Sequence, residues 1–112
     1  YTGVATQENK HDPFLSLAVA GVATRRIELH TSVAIAFPRS PMVAANIGWD
    51  LAASTGGRFT LGLGSQIRPH NEKRFSVPWT PPAPRLREYA AQRDFPAVDG
   101  TSGLSASEHC TI

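Results

Sequence analysis

This sequence of 112 residues has a single cysteine, a low net charge and no long apolar run. The single cysteine, Cys110, excludes an internal disulfide framework and predicts a reducing, cytoplasmic location. No apolar run approaches the roughly 20 residues that span a bilayer, so neither a transmembrane helix nor a membrane partner is expected. The net charge of +2 comes from scattered Lys and Arg residues without interleaved aromatic side chains, which argues against nucleic-acid binding.

The stretch from Ile27 to Gln66 carries the clearest pattern, which predicts a strand, a crossover helix and a second strand. From Ile27 to Phe37, large apolar residues alternate with small or polar ones, as in a strand with two distinct faces. Phe59–Leu63 predicts the second, shorter strand, which ends in the loop Gly64–Gln66. A strand–helix–strand unit of this length implies parallel pairing through a right-handed crossover.

Two helices are predicted, each opened by an N-cap residue followed by proline. Asp12-Pro13 predicts a helix over Phe14–Thr24, and Ser40-Pro41 predicts a second helix, which ends at Gly56-Gly57 because glycine accepts the left-handed conformation. Helical spacing assigns the apolar faces as Phe14, Leu15, Ala18 and Val22 in the first helix and Val43, Ile47 and Leu51 in the second. With a short apolar strand at Gly3–Thr6, the order is β-α-β-α-β, which is typical of an α/β fold.

The chain after Gln66 loses this regularity. Residues 67–84 are rich in proline and have no usable periodicity, which predicts an irregular excursion, and Arg85–Ala91 predicts the first turns of another helix. Residues 92–112 are rich in Gly, Ser and Thr and predict a disordered tail. Three parallel strands leave faces and edges uncovered, so we expect residues 1–91 to be part of a larger barrel or doubly wound sheet.

Several motifs in the same order resemble the bacterial luciferase-like monooxygenase family, and more closely its branch that depends on the deazaflavin coenzyme F420. They are HDPFL (residues 11–15), TSVAIAF-x-R-S-P (31–41), STGGRF-x-LGLGSQ (54–66) and RFSVPW (74–79). The resemblance implies strands two to four of a TIM (β/α)8 barrel, without the first strand and the second half. The tail from residue 92 departs from the family pattern, so we expect a natural truncation, a frameshift or a gene-model fragment.

The resemblance also implies a cofactor site at the C-terminal ends of the strands. The family carries a bulge with a non-prolyl cis peptide behind the cofactor ring, and Ser32 and Val33 stand at that position. Its loop for the cofactor tail corresponds to Gly64, Ser65 and Gln66, where glycine lets backbone amides approach phosphate or ribityl oxygens. The implied cofactor is F420, with FMN as the alternative. On the residues alone, the two segments also fit an ordinary strand and a tight turn.

Glu8 is the candidate catalytic residue, because the resembling enzymes place a histidine or an acid at this turn, near the reactive carbon of the cofactor. It would donate or accept a proton if the fold buried it, and the alternative is a solvated loop carboxylate. Asp50 and Arg58 are predicted to form a structural ion pair. The histidines show no ligand spacing with Cys110 or with paired carboxylates, so no metal site is predicted.

Together these features predict an oxidoreductase of the luciferase-like type, with flavin- or F420-dependent hydride transfer or monooxygenation. The expected partner is a small organic substrate, and self-association into a homo-oligomer stays open. The first alternative is a non-catalytic remnant that interacts through exposed sheet edges. The second is a nucleotide-binding module built on the Gly62-x-Gly64 turn, which lacks the third glycine of a dinucleotide fingerprint.

Overall fold

The computed structural model describes residues 1–92 and, beyond them, only the backbone of residues 110 and 111. The rest of the tail that was predicted to be disordered lies outside the described residues. The elements in chain order are β1 (Gly3–Thr6), α1 (Pro13–Ala23), β2 (Glu28–Thr31), β3 (Ala34–Ile35), α2 (Pro41–Ser54), β4 (Phe59–Gly64), a π-helical turn (His70–Arg74), α3 (Pro82–Ala91) and β5 (Cys110–Thr111). No helix in the described ranges combines the length and apolar character needed to cross a membrane.

The strands form a parallel sheet, as the two predicted crossovers require. β1 pairs with β2 along its whole length, from Gly3 opposite Glu28 to Thr6 opposite Thr31. β2 pairs with the start of β4 and β3 with its end, and the two-residue β5 also lies parallel to β4. The pairing confirms the predicted β-α-β-α-β order, with α1 and α2 as the crossover connections.

The first long predicted strand is broken into β2 and β3. Three residues separate His30 from Ala34, whereas only two separate their partners Thr60 and Leu63 in β4. The β2–β3 segment therefore carries one extra residue opposite β4, which defines a β-bulge. The Ser32–Val33 peptide bond within the bulge is cis, as the family resemblance implied.

Both long helices begin at the predicted N-caps. The Oδ1 of Asp12 accepts hydrogen bonds from the backbone N–H groups of Phe14 at 2.8 Å and Leu15 at 3.1 Å. The hydroxyl of Ser40 accepts one from the N–H of Val43 at 3.2 Å. These side chains satisfy amides that have no partner within the helix, which is why the helices start where they do.

The packed face predicted for α1 is wrong for two of its four residues. Leu15 and Val22 are 71% and 90% exposed, and Leu17 and Gly21 lie on the packed face in their place. A Cβ added to Gly21 would lie 2.7 Å from the methyl group of Thr55, which follows α2. The close approach of the two helices therefore needs the smallest residue at this position, a demand that apolar periodicity does not reveal.

α2 ends as predicted and packs largely as predicted. Gly56 and Gly57 follow it with φ of 64° and 83°, the left-handed region that favours glycine. Leu51 is buried and Ile47 packs against the core. Val43 is exposed, contrary to the prediction, because its neighbour Ala44 faces the core instead.

Arg58 closes the C-terminal end of α1, and the predicted ion pair with Asp50 is not formed. Its guanidinium donates to the backbone oxygens of Gly21 at 3.0 Å, Thr24 at 3.0 Å and Ile27 at 2.9 Å. Carbonyl groups at a helix end lack partners within the helix, so the arginine supplies them. Between the helices and the sheet lies the core, whose fully buried side chains include Leu17, Leu29 and Phe59.

The proline-rich stretch predicted to be irregular contains the π-helical turn at His70–Arg74. α3 begins at Pro82, three residues before the predicted Arg85, because proline is well tolerated in the first turn of a helix. Tyr89 of α3 is buried, and its hydroxyl donates to the carbonyl oxygen of Ser40 at 3.1 Å. This contact fixes α3 at the start of α2.

Candidate functional site

The C-terminal ends of β1, β2 and β4 meet at one rim, where the predicted site residues lie. Glu8 follows β1, Ser32 and Val33 follow β2, and Gly64 ends β4. The backbone N–H of Glu8 donates to the carbonyl oxygen of Val33 at 3.3 Å. A Cβ added to Gly64 would overlap with the side chain of Val33, so these two residues touch across the strands. The structure therefore brings together segments that lie far apart in the chain.

Ser32 and Val33 present their side chains at the surface of this rim. Val33 is 40% exposed, and Ser32 is exposed as well. The backbone N–H of Ser32 donates to the carbonyl oxygen of Thr6 at 2.7 Å. Its hydroxyl makes no hydrogen bond within the described part of the chain. An apolar, solvent-facing side chain beside an uncommitted hydroxyl is suited to one face of a planar ring.

Thr31 holds the bulge against β4 through its side chain. Its hydroxyl donates to the carbonyl oxygen of Gly62 at 2.8 Å and accepts a bond from the Gly62 N–H at 2.8 Å. A Cβ at position 62 would overlap with the backbone carbonyl of Thr31, so only glycine fits there. The hydroxyl thus replaces the backbone pairing that the bulge interrupts. Thr31 was not among the site residues predicted from the sequence, where only its position next to the expected cis bond pointed to it.

The loop after β4 is held by the buried Asn71 and carries polar groups that are not hydrogen-bonded to any described residue. Nδ2 of Asn71 donates to the carbonyl oxygens of Ser65 at 2.9 Å and Ile67 at 3.1 Å. Gln66 has φ of 57°, which redirects the chain. Neither the Ser65 hydroxyl nor the side-chain nitrogen of Gln66 makes a hydrogen bond among residues 1–92. These two donors are therefore available to an oxygen-rich ligand.

Asn71, which holds this loop, was also not among the site residues predicted from the sequence. It is 0% exposed within the π-helical turn, and its backbone carbonyl oxygen accepts a hydrogen bond from the N–H of Val77 at 2.8 Å. Because both neighbours of its amide nitrogen are carbonyl oxygens, the orientation of the carboxamide is determined. Its Oδ1 has no hydrogen-bond partner among the described residues. In the sequence, only the presence of an asparagine in a proline-rich segment pointed to a side chain that bonds the backbone of a turn.

Glu8 is buried and fully hydrogen-bonded, so the alternative of a solvated loop carboxylate is wrong. Its side chain is 5% exposed. Oε2 accepts bonds from the N–H of Ile35 at 2.6 Å and from Nη1 of Arg39 at 2.8 Å, and Oε1 accepts one from Nη2 of Arg39 at 2.9 Å. This two-pronged pairing is the strong form of an arginine–carboxylate interaction.

Arg39 extends this pair to the start of α1. Its Nη2 also donates to Oδ2 of Asp12 at 3.1 Å, and its Nη1 to the carbonyl oxygen of Ile35 at 3.1 Å. The guanidinium carbon lies 5.2 Å from the centre of the Phe14 ring. Burial lowers the pKa of Arg39, but the hydrogen bonds and charges of Glu8 and then Asp12 outweigh it and hold that pKa above its ordinary value. Arg39 therefore stays charged.

An open cleft of about 370 Å³ lies between α3 and the segment after β3, and Arg39 is among the residues that line it. The guanidinium of Arg85 covers the ring of Phe37 there, 4.3 Å from its centre, and donates to the carbonyl oxygen of Pro78 at 2.9 Å. None of the predicted site residues lines this cleft. Neither the cleft nor the rim, nor any other described part of the chain, groups three or more His, Cys, Asp or Glu side chains as a metal site would.

Comparisons with known proteins point to one family. A family model described as luciferase-like monooxygenase matches residues 1–92. Two uncharacterized proteins, one from Mycobacterium bovis and one from Mycobacterium tuberculosis, are each 56% identical to this chain over 91 residues. The match covers 81% of this chain and 27% of each relative, so the chain spans about a quarter of the length of these relatives.

Two solved structures share the fold. The monooxygenase RslO1 from Streptomyces bottropensis matches with a TM-score of 0.75 and 24% identity, over 84% of this chain and 31% of its own. The second is the oxygenating constituent of 3,6-diketocamphane monooxygenase from Pseudomonas putida, a type II Baeyer–Villiger monooxygenase in complex with FMN. It matches with a TM-score of 0.68 and 20% identity, over 80% of this chain and 29% of its own. The predicted fold class is confirmed: the chain is a parallel α/β fragment that matches about 30% of a luciferase-like TIM barrel.

Proposed function

The chain belongs to the luciferase-like monooxygenase family, and we propose that it forms part of the cofactor-binding wall of a flavin-type oxidoreductase. The proposed reaction is hydride transfer or monooxygenation on a small organic substrate. The observation that carries this proposal is the meeting of Ser32, Val33 and Gly64 at one rim, with Ser65 and Gln66 directly beside it. The C-terminal rim of the strands is where TIM-barrel enzymes carry out their chemistry.

The groups on this rim fit a flavin or deazaflavin. Val33 offers an apolar surface to one face of a ring system, and Ser32 offers a hydroxyl beside it. Ser65 and Gln66 offer uncommitted donors to ribityl or phosphate oxygens. When bound, the cofactor would supply the redox chemistry, whereas these residues would bind and orient it.

Glu8 remains the proposed acid or base, because the family resemblance assigns one to this turn. Its backbone hydrogen bond to Val33, the proposed ring surface, supports this assignment. Both of its carboxylate oxygens are bonded to Arg39, so proton transfer at Glu8 would begin with the loss of one of these bonds. The same bonds support a second role for Glu8 in holding the rim.

We propose F420 as the cofactor and FMN as the alternative. The order of the sequence motifs supports F420, since the resemblance is closer to the F420-dependent branch. The FMN complex of the diketocamphane monooxygenase supports the alternative, although at 20% identity its likeness to this chain concerns the fold. Parallel titrations with both compounds separate the two possibilities.

A fluorescence titration of the purified chain with FMN and, separately, with F420 tests the proposed function. We expect one of them to be quenched at micromolar chain concentration, and we expect the double variant S65A/Q66A to bind about tenfold more weakly, since it loses two hydrogen-bond donors. Ser16 is exposed on α1, so S16A is the matched control and should bind as the parent chain does. If neither compound is quenched, the proposal fails, and tight binding of NAD(P) would support the nucleotide-binding alternative.

A second candidate function is that of a non-catalytic interaction fragment, favoured by the apolar residues that α1 exposes. Leu15, Val19 and Val22 share one helix face and are all at least 70% exposed. A second copy of the chain that covered this face would form a homo-oligomer. Light scattering after size exclusion tests this candidate. An oligomer that dissociates in the variant L15Q/V22Q, from a chain that binds neither FMN nor F420, would favour it.

A further inference from the structure

Arg39 links three segments around the candidate site, and we propose that it is a positioning residue for the Ser32–Val33 surface. It would act through Glu8, which holds the chain where it leaves the bulge. The inference rests on the proposed function, because it assumes that this surface receives the cofactor.

Glu8 holds the bulge by two different groups. Its backbone N–H donates to the carbonyl oxygen of Val33, and its Oε2 accepts the N–H of Ile35 at 2.6 Å. One residue earlier in the same segment, the N–H of Ser32 donates to the carbonyl oxygen of Thr6 at 2.7 Å. The segment from 32 to 35 is thus held on this side by consecutive contacts with residues 6–8. The orientation of the Glu8 side chain decides one of these contacts.

Arg39 determines that orientation. It bonds both carboxylate oxygens of Glu8, and a planar guanidinium can do so only with the carboxylate in one plane. Arg39 is itself fixed by the carbonyl oxygen of Ile35, by Asp12 and by the ring of Phe14. Asp12 in turn caps α1 with its other oxygen. One guanidinium therefore joins the loop after β1, the start of α1 and β3.

Removal of Arg39 would leave Glu8 as a buried carboxylate without its counter-charge. The side chains of Glu8 and Arg39 are 5% and 18% exposed, so water replaces the guanidinium poorly. The carboxylate would turn towards solvent and release the N–H of Ile35. Lysine would not restore the arrangement, because an ammonium group cannot bond both carboxylate oxygens in a fixed plane.

The test compares R39M, R39K and E8Q/R39M with the parent chain by titration with FMN and F420. R39M should bind the cofactor at least tenfold more weakly than the parent chain. R39K should recover only a small part of the lost affinity. The double variant removes the lone buried charge and keeps an acceptor for Ile35, so it should fold even if R39M does not, and it should still bind about tenfold more weakly because nothing orients residue 8. R85M is the matched control, since Arg85 also covers an aromatic ring and bonds a carbonyl group, but away from the rim.

A second readout distinguishes positioning from a general loss of stability and does not depend on cofactor binding. In amide-resolved NMR spectra, E8Q/R39M should shift the N–H signals of Ser32, Val33 and Ile35 while those of β4 residues remote from the bulge stay in place. Parent-like affinity in a folded R39M or E8Q/R39M chain would overturn the proposal. If the parent chain binds neither compound, the proposed function fails, and the amide shifts alone decide the role of Arg39: unchanged signals at residues 32–35 would overturn it.

Discussion

Replacement of Thr31 with valine removes a hydroxyl and almost nothing else. The hydroxyl makes two 2.8 Å hydrogen bonds, one to the carbonyl oxygen of Gly62 and one from its N–H, and Thr31 is only 3% exposed. A buried donor left without a partner costs about 1–3 kcal/mol. Gly62 is half-buried, so water can recover part of this loss, and we expect T31V to lower the free energy of unfolding by about 2 kcal/mol.

Equilibrium unfolding in urea measures this change, which corresponds to a midpoint about 1 M lower for a slope near 2 kcal/mol/M. T31S is the matched control, because it keeps the hydroxyl and loses one methyl group, at about 0.8 kcal/mol. The slope should be the same in all three chains. If T31V were as stable as the parent, or no less stable than T31S, the hydroxyl would not hold the bulge and our account of β2 and β4 would be wrong.

Three further predictions concern the same rim. G62A should destabilise the chain by about 3 kcal/mol or more and G64A by about 1 kcal/mol. The added methyl group meets the backbone carbonyl of Thr31 at position 62 but a methyl group of the Val33 side chain at position 64, and a side chain yields more readily than backbone. Equal urea midpoints would contradict this. N71L should cost about 2–4 kcal/mol, since it removes the bonds to Ser65 and Ile67, and parent-like thermal unfolding would contradict it. The pKa of Arg39 is raised in the folded state, so its contribution to stability is complete below the ordinary arginine pKa and is lost only above it. The stability difference between R39M and the parent chain should therefore be the same at about pH 7 and at about pH 10. A decline over that range would contradict the assignment.

The parts of the fold that depend on neighbouring residues were predictable from the sequence. The N-caps Asp12 and Ser40 each act on amides two or three residues away, and Gly56-Gly57 ends α2 through its own backbone conformation. The parallel order of strands follows from the length of the connections. These are short-range effects, which a local pattern records.

The packed face of α1 could not be read from apolar spacing alone. Leu15 and Val22 have the periodicity of a core face, yet the helix turns Leu17 and Gly21 inward. The choice depends on the distance to Thr55 at the end of α2, since only glycine allows that approach. Such a constraint belongs to the pair of helices rather than to either sequence segment.

The candidate site was only half predictable for a similar reason. The positions of Ser32, Val33 and the Gly64 loop came from the family resemblance, and the structure brings them together. The residues that support them act over long separations: Arg39 is 31 residues from Glu8, and Thr31 is 31 residues from Gly62. The sequence shows an arginine after β3 and two acids after β1, but their pairing can be inferred only when the strand order is known.

The most direct test of the central claim is an amide-resolved NMR titration of the chain with the cofactor that it binds. Our account predicts that the shifted signals cluster at Ser32, Val33 and Gly64–Gln66, and that α1 and the cleft beside α3 are unaffected. Shifts confined to the cleft residues around Arg85 and Tyr89, or no shifts at any concentration, would contradict the claim that the bulge and the Gly64 loop form one cofactor-binding rim.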